Sequence, residues 1–111
     1  MIDDLNSNLT NIGETVAINI NSCAAVNNAE TVIGTLKLTK GKWLLTGYVW
    51  TVGSTDGHLL IKNIASAIGG RCINISGYKK ITATTSFEII FTPYGADETV
   101  SSGLITAIRV S

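Results

Sequence analysis

Residues 43–52 read WLLTGYVWTV, ten residues with no charge and no proline. Strand periodicity puts Trp43, Leu45, Gly47, Val49 and Thr51 on one face and Leu44, Thr46, Tyr48, Trp50 and Val52 on the other. Aromatic and β-branched side chains suit a pleated, half-buried surface, so the stretch reads as a strand. Neither face is polar enough to be left to water. An antiparallel sheet standing alone shows one apolar and one solvated face. This strand is therefore expected to meet its own core on one side and a neighbouring subunit on the other, with Tyr48 and Trp50 in the interface.

The same period of two runs outward in both directions. In TVAINI, residues 15–20, Val16, Ile18 and Ile20 alternate with smaller or polar side chains. NNAE, residues 27–30, reads as a turn before a strand carrying Val32, Leu36 and Leu38, with Gly34 at a bend or a close approach. Lys40-Gly41 reads as a tight turn, and so does GSTDG, residues 53–57, where Asp56-Gly57 favours positive backbone angles.

Beyond it, residues 58–64 are expected as a strand, then a loop through Gly69-Gly70, a strand in RCINIS, and a short one around Lys80 to Thr84. SFEIIFT, residues 86–92, is a clear strand. PYGADETVS is a loop in which Asp97 and Glu98 are solvated, and SGLITAIRVS is the last strand. Seven or eight short strands at this spacing predict an all-β fold: a compact antiparallel β-sandwich, jelly-roll-like. Residues 15–111 form this head, and residues 1–14 are its lead-in.

That lead-in, MIDDLNSNLTNIGE, spaces Ile2, Leu5, Leu9 and Ile12 like a coiled-coil seam. So short a helix is marginal alone. Tethered to an assembled head, the four residues can cover the end of a shared core as the last turns of a stalk, helical or extended.

Composition agrees with a subunit that buries surface against others. The chain has 111 residues, eight acidic and eight basic, and a mean hydropathy of +0.32, high for a small domain with so much surface to cover. Residues 1–36 contain Asp3, Asp4, Glu14 and Glu30 but no Lys or Arg, whereas residues 37–80 are mostly basic in their charge. The basic residues are too sparse for a nucleic-acid surface. Cys23 and Cys72 form no metal or haem pattern; buried thiols are the simpler reading, with a single bridge left open. No signal-peptide pattern and no apolar run of membrane-spanning length occurs, so a soluble protein without membrane insertion is expected.

No nucleophile elbow, zinc motif, phosphate loop or dinucleotide fingerprint is present, and the single histidine, His58, cannot build a multi-histidine site. No catalytic residue, metal or cofactor is expected. Recognition suits the composition better, because sugars present C–H faces that stack on aromatic rings and hydroxyls that pair with Asn, Asp or His. Tyr78 and Tyr94, both read as lying in turns, are the candidate stacking residues. Asp56, His58, Asn63 and Asn74 are the polar candidates, and Glu88 with Arg109, charges in apolar strands, form a candidate pair that sets subunit register.

The stretches TVIGTLKLTKGKWLLTGYVW, RCINISGYKKITATTSFEIIF and SGLITAIRV together resemble the C-terminal head or tip domains of bacteriophage tail fibres. The matching positions are Gly41, Trp43 and Gly47, then Gly103, Ile105, Ala107 and Arg109 in a Gly-x-Ile-x-Ala-x-Arg-like ending, and the likeness covers residues 30–111. The resemblance implies a homotrimeric β-sandwich like the C1q/TNF-type heads, at the distal end of a virion fibre. Its implied partners are the rest of the fibre and a bacterial surface glycan or outer-surface protein. It supplies no receptor-binding residues.

Overall fold

The computed structural model describes residues 12–53 and 55–111. Ile2, Leu5 and Leu9 of the expected seam lie outside them. Nine strands follow in order: β1 (Thr15–Ile20), β2 (Cys23–Ala25), β3 (Thr31–Leu38), β4 (Gly41–Thr51), β5 (Asp56–Ile61), β6 (Ala65–Gly70), β7 (Cys72–Ile81), β8 (Thr85–Pro93) and β9 (Glu98–Arg109).

They make two antiparallel sheets. One has the order β1-β9-β4-β7, with β2 also paired to β9; the other has the order β3-β8-β5-β6. Trp43, Leu45, Val49, Ile73 and Ile105 of the first sheet and Leu36, Leu38, Leu59, Ile61, Ile89 and Phe91 of the second share one buried core. The expected β-sandwich is thus present.

β4 decides the architecture as its pattern suggested. Its odd-numbered residues Trp43, Leu45, Val49 and Thr51 are buried, and the alternate ones are exposed. Trp43 is the largest fully buried side chain, and its indole Nε1 donates to the Thr39 carbonyl at 2.9 Å, so the ring is buried without an orphaned donor. Gly47 lies where Ile105 crosses the strand: a Cβ there would stand 2.5 Å from Ile105 Cδ1 and 2.6 Å from the Leu104 carbonyl oxygen.

Several expected boundaries move. β2, residues Cys23–Ala25, has no strand pattern in the sequence; it is held by pairing to Thr99 and its neighbours on β9. The expected loop over 65–70 is β6, antiparallel to β5. The two separate strands expected in RCINIS and around Lys80 are the single ten-residue β7, so Tyr78 sits in a strand and not in a turn. Asp56-Gly57 opens β5 instead of closing a turn, and Gly57 is required because a Cβ would collide with the Phe91 ring. Gly34 does mark a bulge, at the register shift between Val32 and Gly34.

β5 and β6 are joined at Lys62–Ile64 well before β7 and β8 reach their own hairpin. The lower half of β7 therefore lacks a strand opposite it. The space left is a hollow of about 500 Å³ lined by Asn63, Lys79, Lys80, Ile81, Thr85 and Phe87.

Candidate functional site

The outer face of the five-stranded sheet is built by pairing alone. Residues directly opposite on antiparallel strands share a face, with Cβ atoms about 5 Å apart. β4 pairs with β7 on one side and β9 on the other, and β9 pairs with β1. Leu44 is thus flanked by Tyr78 and Ile108, and Tyr48 by Asn74 and Leu104. Trp50 is flanked by Cys72 and Ser102. Leu44, Tyr48, Trp50, Tyr78 and Ile108 are between 38% and 51% exposed, whereas Trp43 on the opposite face of β4 is at 0%.

Across these rows the side chains are apolar, aromatic or neutral. The outer face of the four-stranded sheet differs: it carries Lys37, His58 and Glu88, with Lys62 3.8 Å from the Glu88 carboxylate. The second face also exposes Val32 and Ile68, and the first ends in Lys42 and Lys80; what marks the first as a surface to be covered is its uncharged middle with the three rings of Tyr48, Trp50 and Tyr78.

The second locus is the end of the sandwich formed by the β2–β3, β4–β5 and β8–β9 connections. Asp56 is exposed at the start of β5, and its carbonyl accepts the Tyr94 N–H at 2.8 Å. His58 follows opposite Thr92. Asp56, His58 and Tyr94 are thereby brought to one end of the molecule. Asn63 is elsewhere, at a left-handed φ of 66° in the β5–β6 turn, and Tyr78 belongs to the outer sheet face.

This end is well fastened. Asn27 N–H donates to Asp97 Oδ1 at 2.8 Å, and Gly95 N–H donates to Asn27 Oδ1 at 2.8 Å. Glu98, expected in solvent, is buried instead and accepts the Gly53 N–H at 2.7 Å and the Thr99 N–H at 3.2 Å. Its carboxylate replaces water for a turn whose amide would otherwise be unpaired. Sequence offered no sign of this role, since an acidic residue after Gly and Asp normally reads as solvated loop.

The expected pairing of Glu88 with Arg109 is absent within the chain. Glu88 faces Lys62, and Arg109 lies 3.9 Å from Glu14. The two occupy different sheets, so each finds a nearer partner. An intrachain disulfide is also excluded. Cys72 lies beside Trp50 on the outer face, whereas Cys23 pairs with buried Val100 and shares the inner side of β2 with Ala25. Three strand spacings, roughly 14 Å, separate them, against the 7 Å or less that a bridge spans. Both thiols are free.

No family model and no curated protein matches the chain. Among solved structures, one described as "Bacillus endospore appendages form a novel family of disulfide-linked pili" is similar, with a TM-score of 0.58 and 9% sequence identity over 90% of each chain. At that identity the likeness is one of fold.

Proposed function

We propose that this protein is a non-enzymatic head domain of a fibrous assembly, a jelly-roll-like sandwich that packs against copies of itself, as a homotrimer, through the outer face of the five-stranded sheet. The observation that carries this reading is the uncharged patch Leu44, Tyr48, Trp50, Tyr78, Leu104 and Ile108 on a sheet face over which none of the described residues forms a further layer. Covering such a face removes apolar area worth roughly 25 cal/mol per Å², and aromatic residues at the centre of an interface contribute disproportionately. A fold shared with a pilus protein is compatible with that use of the sandwich. Both favour a structural trimerisation or capping head over the receptor-binding tip that the tail-fibre resemblance implies.

The test is sedimentation velocity on the whole chain and on the double variant Tyr48→Lys/Trp50→Lys. The native protein is expected as a discrete oligomer at micromolar concentration and the variant as a single chain with unchanged circular dichroism. A native protein that sediments as one chain throughout contradicts the reading.

Attachment to a bacterial surface glycan or outer-surface protein, at the distal end of a virion fibre, is the second reading. It is favoured by the convergence of Asp56, His58 and Tyr94 at the fastened loop end. In that case Tyr94→Ala with Asp56→Ala is expected to abolish binding to purified host polysaccharide while leaving the oligomer intact. Equal binding by the variant would remove these residues from the role.

A further inference from the structure

The charges that the sequence groups along the chain are sorted by the fold to opposite ends of the sandwich. The end where β4 and β8 begin and β7 and β9 finish holds Lys37, Lys40, Lys42, Lys79, Lys80 and Arg109, with Glu14 as its one acid among the described residues. The opposite end holds Glu30, Asp56, Asp97 and Glu98, with Arg71 as its one cation among the described residues. Between them, Lys62 and Glu88 neutralise each other.

The basic end is also concave. Lys40, Lys42, Lys80 and Arg109 line a hollow of about 310 Å³ with Ile12 and Ile81, and Lys80 borders the larger hollow below β7 as well. Lys42 and Lys80 stand directly opposite each other across the β4–β7 ladder. Like charges in that position repel, and an anion held between them relieves the repulsion. The acidic end projects its turns, with Glu30, Asp56 and Asp97 all exposed.

We propose that copies of this chain stack end to end, the basic hollow of one receiving the acidic loop end of the next. The inference rests on the reading of the chain as an assembling subunit, but it uses a different surface and a different force. The occupant is a second copy because the complementary charge is carried by the same chain at its far end. A free polyanion would engage the cations and leave the acidic pole without a partner. The end-to-end contact joins unlike surfaces, and because they lie at opposite ends of the sandwich each added copy leaves an end free and the contact extends into a filament. Opposite end charges steer the approach and fix its polarity, and salt weakens them because the screening length falls to about 8 Å at physiological ionic strength. The last copy in a stack leaves one acidic end uncovered, the end that carries Asp56, His58 and Tyr94.

The experiment compares particle mass by light scattering at about 20 mM and about 0.5 M salt, where the screening length differs several-fold. Three samples are needed: the native chain, Lys42→Glu/Lys80→Glu, and Glu30→Lys/Asp56→Lys. The native chain is expected to grow with concentration at low salt and to return at high salt to the size set by the sheet face. Each variant alone sets like charges against each other at the substituted positions and is expected to lose the growth. An equimolar mixture of the two variants is expected to regain it, which also shows that both are folded.

Growth of either variant alone to the native extent, or a mixture that fails to grow, overturns the proposal. So does native protein that binds vesicles containing phosphatidylglycerol without growing itself, which assigns the basic end to an anionic surface. The sheet-face reading fails separately, if the native chain is a single copy at high salt, and end-to-end growth at low salt is still read in that case.

Discussion

Trp43→Ala is expected to lower the unfolding free energy by about 3–5 kcal/mol, the range for removing a fully buried aromatic side chain. Trp43 has no exposed surface and lies in the core shared by both sheets, so the cavity has no route to fill from solvent. A domain of this size has about 5–15 kcal/mol in all. The loss therefore takes about a fifth or more of it and lowers the melting temperature by about 15–30 °C. Trp43→Phe keeps most of the volume and gives up the bond to the Thr39 carbonyl, which is in an exposed turn and can turn to water. Its expected cost is about 1–2 kcal/mol. Urea unfolding of the three proteins checks both figures; an alanine variant within 1 kcal/mol of native, roughly the size of a surface substitution, would mean that the ring is not the centre of the core.

The second large effect is at Gly47. The first atom of any side chain there meets the Leu104 carbonyl oxygen at 2.6 Å, and that oxygen is backbone held in the β4–β9 ladder. The Ile105 terminal carbon at 2.5 Å can rotate away, but the ladder cannot. Gly47→Ala is expected to cost about 1–3 kcal/mol by overpacking, more than the few tenths that alanine returns by restricting the unfolded chain. Gly47→Val is expected to cost more again. The denaturation midpoint should fall with the urea dependence unchanged, the signature of a native state that is strained but still cooperative. A Gly47→Ala protein more stable than native would show that the two strands separate freely at this point.

What is legible in the sequence depends on contrast between neighbouring residues. TVAINI and WLLTGYVWTV alternate large apolar with other side chains, and β1 and the buried face of β4 appear where that alternation puts them. ASAIGG and CAA are made mainly of small residues, so they carry no such contrast. β6 and β2 exist because β5 and β9 offer them partners.

Two glycines misled for a related reason. Gly57 and Gly77 look like turn residues, yet each is in a strand where another residue needs the space of a side chain. Phe91 lies over Gly57, and Ala65 Cβ would stand 2.8 Å from a Cβ at Gly77. Reading Gly77 as a turn also moved Tyr78 out of β7, away from the face it shares with Leu44. That neighbourhood depends on which strands pair, and strand order is a property of the whole chain. The grouping of Asp56, His58 and Tyr94 has the same origin, since it requires the β5–β8 ladder. By contrast, the uneven placement of charge was visible in the sequence, but its conversion into two opposite poles required the topology.

Trp50 gives the most direct measurement of the central claim. It is the tryptophan on the outer face, 46% exposed in the single chain, while Trp43 is sealed in the core. In a Trp43→Phe background its fluorescence reports that face alone. If copies pack through the face, the emission of Trp50 shifts to the blue as concentration rises, and iodide quenching falls in step with the appearance of the oligomer by sedimentation. A Trp50 that iodide quenches equally in the single chain and in the oligomer would place the subunit contact on some other surface and contradict the assignment.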